Sequence, residues 1–174
     1  MKRADLEHVL RASKDITGQT EFIVLGSQSI LGLFPDAPAE LRISIEVDLY
    51  PKNRPDLAKL IESSLGELSM FHGTFGYYAD GITPDTATLP KGWPERLVRV
   101  SNRNTGGAVG WCLDPHDLAF SKLAARREKD LKFVAALLRH KLIQLSVLED
   151  RIQSVDIREL RASLEEALTS CRPK

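Results

Sequence analysis

The sequence predicts an α/β fold of the α+β type, in which a mixed β-sheet core has flanking helices and a C-terminal helical tail. Residues 21–25 form a compact apolar run of β-forming residues that stops at a Gly-Ser pair. Residues 42–50 alternate apolar and polar side chains, as a half-buried strand does. From Asp114 onward, a cap residue and apolar spacing indicate helices.

A chain of 174 residues is long enough for one domain with its own hydrophobic core. We expect residues 1–143 to form the main body and residues 144–174 to form a helical extension of the same domain. Hydrophobic residues make up 43% of the sequence, which excludes a disordered protein. Cys112 and Cys171 lie far apart in the chain, so a disulfide framework and a zinc finger are also excluded.

No run in the sequence approaches the roughly 20 apolar residues of a transmembrane helix. The first residues, Met-Lys-Arg-Ala-Asp-Leu-Glu, lack the apolar segment of a secretory signal. We therefore expect a cytoplasmic protein without a membrane partner.

The first forty residues are predicted to contain two helices and a strand. Apolar residues at helical spacing predict a helix over residues 4–14. A strand follows at residues 21–25, and a short helix over residues 28–34 ends before a proline. The turn between this strand and this helix is Gly26-Ser27.

Residues 42–50 form the most informative predicted strand because its alternation is unbroken over the central positions. Successive side chains of a strand point to opposite faces of the sheet. Ile43, Ile45, Val47 and Leu49 share one face, and Ser44, Glu46 and Asp48 share the other.

Residues 51–113 are predicted to supply one helix and two further strands. The helix spans residues 55–65 and has a proline at its start, and the strands span residues 73–82 and 96–101. Polar segments rich in proline or glycine, residues 81–94 and 101–107, form long loops.

The last third of the chain begins with Asp114 as a helix N-cap and Pro115 at the first helical position. This helix is predicted to run to about His140. Two shorter helices, at residues 144–152 and 156–169, complete the tail.

The charges balance overall, with 24 Lys and Arg against 24 Asp and Glu, which excludes a protein that coats nucleic acid by bulk charge. Their distribution is uneven. Residues 1–50 hold eight acidic and five basic residues, whereas residues 116–141 hold three acidic and seven basic ones. We expect the acidic N-terminal part to face a basic helix.

Glu46 and Asp48 lie two residues apart on one strand face, so their carboxylates are close together. Such like charges raise each other's pKa and are costly to bury, which favours a bound cation. Mg²⁺ takes one or two protein carboxylates and completes its shell with water and phosphate oxygens. The alternative is a strand face exposed to solvent.

Gly26 and Ser27 lie where a strand leads into a helix, and the free backbone N–H groups of such a turn favour anions. They are candidate phosphate ligands, and the alternative is an ordinary turn. A phosphate-binding turn beside a strand with paired acids is the combination that phosphoryl transfer requires.

Lys122, Arg126 and Asp130 share one face of the predicted long helix, with Lys129 beside them. On that interpretation Lys122 binds a phosphate, and Asp130 orients Lys122 or Arg126. The alternative is an Arg126–Asp130 pair on a solvated edge.

Two blocks of the sequence resemble a known family. Leu25-Gly26-Ser27 followed by Arg42-Ile-Ser-Ile-Glu-Val-Asp-Leu49 is similar to the signature of the DNA polymerase beta nucleotidyltransferase superfamily. The closest resemblance is to the small bacterial branch related to AbiE-type (AbiEii) toxins. Residues 113–130, which contain Lys122, Arg126 and Asp130, resemble a later block of that branch, and the whole resemblance spans about residues 20–143.

The resemblance implies transfer of a nucleoside monophosphate from an NTP to a hydroxyl group of an RNA, such as a tRNA 3′ end, or of a protein. It also implies a toxin–antitoxin or phage-defence context with a cognate antitoxin. Glu46 and Asp48 would hold Mg²⁺ or Mn²⁺. The implied catalytic residues are Glu46, Asp48, Lys122 and Asp130, and the implied nucleotide-binding residues are Gly26, Ser27, Arg42, Lys122 and Arg126.

The chain departs from the superfamily pattern in two places. Glu46 stands where Asp is usual, and the third carboxylate often found on a neighbouring strand has no clear counterpart, although Asp80 lies at a strand end. An alternative function follows from these departures, namely a catalytically inactive protein of the same fold that binds a partner, as an antitoxin subunit does.

Overall fold

One five-stranded sheet lies at the centre of the computed structural model, which describes residues 1–172. The spatial order of its strands is β3-β2-β1-β5-β4. β1 pairs antiparallel with β2 and parallel with β5, β2 pairs parallel with β3, and β4 pairs antiparallel with β5. The strands are β1 (Glu21–Val24), β2 (Glu46–Pro51), β3 (Tyr78–Gly81), β4 (Val98–Val100) and β5 (Val109–Cys112). The predicted mixed sheet with flanking helices is confirmed.

Seven α-helices and several short 3-10 helices surround the sheet in the part of the chain that the structure describes. None of these helices combines the length and the apolar character needed to cross a membrane, over residues 1–172. The α-helices are α1 (Arg3–Thr17), α2 (Ala58–Leu65), α3 (Met70–Phe75), α4 (Pro115–Ala125), α5 (Glu128–Arg139), α6 (Leu145–Gln153) and α7 (Arg158–Cys171).

One face of the sheet is covered by α1 and α2. Leu10 of α1 lies so close to Gly110 of β5 that a side chain at Gly110 would meet the leucine at 2.7 Å. The buried residues Phe22, Val24 and Leu49 point to the same side. Because strand side chains alternate, Asp48 and Asp80 point to the opposite side, where the candidate site lies.

The predicted strand over residues 42–50 begins later than expected, since β2 starts at Glu46. The ladders of β2 with β1 and β3 involve only residues 46–51, and the segment before them reaches the sheet only through the Ile45 carbonyl, which accepts a 3.0 Å hydrogen bond from the Tyr78 N–H. Ile43 and Ile45 are consequently 77% and 45% exposed instead of buried with Val47.

The predicted strand over residues 73–82 is mostly wrong. Ser69 caps the short helix α3 by accepting a hydrogen bond from the His72 N–H, and Gly76 ends that helix with a φ of 75°. Phe75, one of the aromatic residues that suggested a strand, instead packs its ring, together with that of Phe71, against His8 of α1. Only residues 78–81 form the strand.

Strand β5 was not predicted, although it lies between β1 and β4. It is four residues long and contains Gly110, so its sequence carries little β signal. β4, at Val98–Val100, lies within the strand predicted at residues 96–101.

The single helix predicted from Asp114 to about His140 is two helices. Arg126 adopts a left-handed conformation, with φ of 55°, and ends α4. Asp114 caps α4 as predicted by accepting a hydrogen bond from the His116 N–H. The break allows α5 to turn relative to α4 while the two helices remain packed together.

The two tail helices are confirmed as α6 and α7. α6 packs against α4, and α7 packs against both α4 and α5. The last two residues of the predicted extension, 173–174, lie outside the described residues.

Candidate active site

An open cleft of about 480 Å³ lies between the uncovered face of β2 and β3 and the junction of α4 with α5. Its acidic wall comes from the sheet, and its basic wall comes from the helices. The charged residues that line it are Glu46, Asp48, Asp80, Lys122, Arg127, Lys129 and Asp130. The predicted meeting of an acidic strand with a basic helical segment is therefore present.

The acidic wall contains three carboxylates. Glu46 and Asp48 project from β2 on the same side, and Asp80 of β3 is the direct partner of Asp48 in the parallel ladder. Asp80, which the sequence placed at a strand end, thus adds a third carboxylate to this wall beside Asp48.

Burial and neighbouring charge raise the pKa of two of these acids, Asp48 and Asp80. Burial, followed by the charge of Glu46, raises the pKa of Asp48 to about 6. Burial also raises the pKa of Asp80 to about 6, helped by its hydrogen bond with Glu62 and by the charge of Asp48. Tyr78 donates a hydrogen bond of 3.0 Å to Glu46 Oε2.

Gly26 is required by the close approach of the chain to Asp48. It has a φ of 41°, and a Cβ at this position would overlap the Asp48 carboxylate. The backbone N–H of Leu25 donates a 2.9 Å hydrogen bond to the Asp48 carbonyl, which holds the turn against β2. The predicted strand, Gly-Ser turn and helix are present, but the helix is a six-residue 3-10 helix, Ser27–Gly32.

Lys122 connects the turn to the helices. Its Nζ donates hydrogen bonds of 2.9 Å to Ser27 Oγ and to Asp130 Oδ1. Burial lowers the pKa of Lys122, and the hydrogen bond and charge of Asp130 oppose that effect. The ammonium group also lies 4.5 Å from the centre of the Phe133 ring.

Asp130 holds a second cation, Arg127, whose Nε donates a 2.6 Å hydrogen bond to Asp130 Oδ2. Burial alone would raise the pKa of Asp130, but the hydrogen bonds from Arg127 and Lys122 lower it overall. The Asp130 side chain is fully buried, whereas the Arg127 side chain is 63% exposed and lines the cleft. Asp130 thus orients Lys122, as predicted, together with an arginine that was not singled out.

Arg126 does not share the face of Lys122 and Asp130, so that prediction is wrong. The break after α4 directs its side chain to α7, where its Nη1 donates to Ser163 Oγ at 3.0 Å and to Glu166 Oε2 at 2.9 Å. The neighbouring residue, Arg127, takes the place in the cleft.

Arg42 also lies apart from the residues that line the cleft. Its carbonyl accepts a hydrogen bond from the N-terminal amine, and its backbone ends a short 3-10 helix at Ala39–Leu41. Because β2 begins only at Glu46, Arg42 is not on the strand that carries the acids. Its expected contact with a nucleotide is therefore not supported by its position.

The acidic wall fits a hard divalent cation by its donor set. Across residues 1–172, no group of three or more His, Cys, Asp or Glu side chains is placed so that together they could hold a metal ion. Mg²⁺ does not require such a group, because it keeps waters and takes phosphate oxygens beside one or two carboxylates. Lys122 and Arg127 pair with Asp130 rather than with Glu46 or Asp48, so the acids of β2 remain available to a cation.

A second cavity, of about 460 Å³, adjoins the cleft and shares Ser27, Glu46, Lys122 and Lys129 with it. We call it the apolar pocket because most of its surface is apolar. The apolar lining residues are Leu41, Ile43, Phe133 and Ala136, and Glu40, Ser44 and Lys132 also line the cavity.

Comparison with known proteins identifies one family. A model of the DUF6036 family, described as a nucleotidyltransferase of unknown function, matches residues 4–169. The matched region includes the Gly-Ser turn, all three carboxylates and the Lys122–Asp130–Arg127 cluster, and it extends over α6 and α7. No curated protein and no solved structure matches the chain.

Proposed function

Because the chain belongs to the DUF6036 family of nucleotidyltransferases, we propose that it is a Mg²⁺-dependent enzyme that transfers a nucleoside monophosphate from an NTP to a hydroxyl group. The bond between the α- and β-phosphates breaks, a new ester forms at the α-phosphate, and pyrophosphate leaves. The observation that carries this proposal is the register of Asp48 with Asp80, opposite the pair formed by Ser27 and Lys122.

Glu46 and Asp48 would hold Mg²⁺ or Mn²⁺, and Asp80 lies beside them. When bound, the ion would supply positive charge to the phosphate oxygens as the transferred group passes through its transition state. The carboxylates fit this role because their mutual repulsion favours a cation over an empty site.

The basic wall supplies the other half of the mechanism. Ser27 and the backbone at Gly26 would contact the β- and γ-phosphates, as would the ammonium of Lys122. Arg127 would neutralise charge that develops on the departing pyrophosphate. Asp130 positions both cations and makes no contact with substrate, so its role is to fix their geometry before the nucleotide arrives.

Asp80 is the candidate base that accepts the proton of the attacking hydroxyl. A general base works best when its pKa lies near the working pH, and the pKa of Asp80 is raised to about 6.

We propose an RNA, such as a tRNA 3′ end, or a protein hydroxyl as the acceptor. The motif resemblance to AbiE-type toxins supports this choice and a toxin–antitoxin or phage-defence context with a cognate antitoxin. The overall charge balance is compatible with an enzyme that grips one triphosphate and one acceptor end instead of coating a nucleic acid.

The test incubates the protein with each of the four α-labelled NTPs, Mg²⁺, and either total RNA or a protein extract. We expect label in one acceptor, no label after chelation, and no label with Asp48→Ala. Asp36→Ala, a change of an exposed aspartate outside the cleft, serves as the matched control and should retain activity.

The alternative function, a catalytically inactive protein of the same fold that binds a partner protein or a nucleotide, predicts no label transfer, whether or not the protein binds an NTP. The presence of Asp80 beside Asp48 supports the enzyme over this alternative, because it supplies the acid whose apparent lack suggested a decayed site. Absence of transfer to RNA and to protein under all four NTPs would contradict the enzyme.

A further inference from the structure

The apolar pocket is a second compartment of the same cleft, and its chemistry differs from that of the acidic wall. Ile43 lines this pocket and is 77% exposed. It belongs to the segment that precedes β2. An isoleucine this exposed does not contribute to the hydrophobic core, so the core does not explain its presence here. A volume of about 460 Å³ lies within the range of pockets that enclose small molecules, roughly 300–1,000 Å³.

Polarity changes in order along the cleft. The apolar pocket lies at one end, and Glu46 lines both this pocket and the acidic compartment. A smaller cavity of about 160 Å³ adjoins the acidic compartment at Gly26, Thr86 and Arg127, and Lys122, hydroxyl side chains and several apolar residues also line it. The hydroxyl residues of that cavity are Thr86, Thr88 and Ser121.

An NTP has the same order of polarity along its length. Its base is planar and largely apolar on both faces, its ribose follows, and its triphosphate carries the negative charge. If the α-phosphate lies at the acids, the arginine end suits the remaining phosphates, and the base then falls in the apolar pocket. Lys129 lines both the apolar pocket and the acidic compartment, so its charge lies where the nucleoside would join the α-phosphate.

We propose that the apolar pocket binds the nucleoside of the donor NTP, with the base against Ile43 and Phe133 and the triphosphate directed toward Arg127. This inference rests on the proposed nucleotidyltransferase function. It adds the residues that recognise the nucleoside half of the substrate, whereas the sequence motifs concern the phosphate half.

The proposal separates two affinities that can be measured by calorimetry in the presence of Mg²⁺. One is the affinity for inorganic tripolyphosphate, which needs only the acidic and basic walls. The other is the affinity for the tightest-binding of the four NTPs, which also needs the apolar pocket. We expect wild-type protein to bind that NTP at least about tenfold more tightly than tripolyphosphate.

Ile43→Ser is the test variant, because an exposed residue can be changed without disturbing the core. It should remove most of the preference for the NTP and leave the affinity for tripolyphosphate unchanged. Ile157→Ser is the matched control, since Ile157 is also exposed, at 61%, but lies at the start of α7. The control should bind both probes as the wild type does.

Each other result has a distinct meaning. Equal affinity of the wild type for NTP and tripolyphosphate, or an unchanged preference in Ile43→Ser, would overturn the nucleoside pocket and leave the proposed function standing. An increase in the KM of the acceptor alone would assign the pocket to the acceptor and also overturn the inference. Failure of wild type to bind either probe would overturn the proposed function itself.

Discussion

Asp48 and Asp80 lie side by side in register on the parallel strands β2 and β3. Two carboxylates in this arrangement repel each other, and the charge of Asp48 contributes to the raised pKa of Asp80. A protein evolved for stability alone would gain from replacing one of them. Their presence together therefore favours a site that receives positive charge.

Asp48→Asn is expected to stabilise the protein in the absence of divalent ions. The pKa of Asp48 is about 6 in the folded state, above that of an unfolded chain, so wild-type stability falls as the pH rises from about 4 through 6. The neutral amide avoids this loss. Since one pH unit corresponds to about 1.4 kcal/mol, the gain in the free energy of unfolding at pH 7.5 should be about 2–3 kcal/mol.

Chemical denaturation at pH 7.5 and at pH 4 measures this gain. The difference between variant and wild type should shrink to less than about 1 kcal/mol at pH 4, where Asp48 of the folded protein is protonated and the pH lies close to the unfolded pKa. Asp36→Asn, at an exposed position, should change stability little at either pH. A destabilised Asp48→Asn at pH 7.5 would show that the carboxylate is not repelled in the folded protein.

Mg²⁺ affinity is expected to rise with pH. Asp48, with a pKa near 6, must lose its proton before it can hold a cation, and loss of the proton from Asp80 beside it, also with a pKa near 6, adds negative charge that favours the ion. Titration calorimetry between pH 5 and pH 8 should show tighter binding and fewer released protons toward the upper end. An affinity that is flat over this range would contradict the raised pKa values.

Gly26→Ala is expected to abolish Mg²⁺-dependent NTP binding. The new methyl group would displace the Asp48 carboxylate, and the alanine would also have to adopt a positive φ. Gly18→Ala is the matched control, because Gly18 has a φ of 67° but open space around its Cβ position. The control should lose about 1–2 kcal/mol of stability and keep its binding. Equal NTP binding by Gly26→Ala and Gly18→Ala would show that the new methyl group does not displace the Asp48 carboxylate.

Asp130→Asn is expected to cost about 3–5 kcal/mol of unfolding free energy, because it leaves the buried Lys122 ammonium without its carboxylate. The double variant Lys122→Met/Asp130→Leu removes the charge as well and should recover much of that loss. It should still fail to bind tripolyphosphate. Recovery of binding in the double variant would show that Lys122 is not a phosphate ligand.

Arg127→Ala and Arg126→Ala form a pair of adjacent changes with different expected results. Arg127 lines the cleft, and loss of a charged hydrogen bond to phosphate should raise the KM for NTP about tenfold or more. Arg126 pairs on the surface with Glu166, so its loss should affect stability by less than about 1 kcal/mol and leave the KM unchanged. Equal kinetics of the two variants would contradict the assignment of Arg127.

The sequence was most informative where the local pattern alone determines position. Glu46 and Asp48 lie on one face because strand side chains alternate, and that holds even though β2 begins later than predicted. The contact between Lys122 and Asp130 was also anticipated, from the spacing of a continuous helix. The contact is present although the break at Arg126 places Lys122 and Asp130 on two different helices.

The other residues of the candidate site are positioned by tertiary structure, which the local sequence pattern does not predict. Asp80 becomes part of the site only because β3 pairs with β2 in one particular register, which its own short strand does not reveal. Arg127 replaces Arg126 because one residue adopts a left-handed conformation within an otherwise helical pattern. No periodicity in the sequence marks that residue, since arginine is a good helix former.

The parallel pairing of β1 with β5 has a consequence for how the protein is made. Residues 21–24 leave the ribosome long before residues 109–112, so one side of β1 stays unpaired during most of synthesis. Contacts this distant in the chain slow folding, and an open strand edge invites association with other chains. We expect the full sheet to form only after β5 is available, so fragments that end before Val109 should aggregate instead of folding.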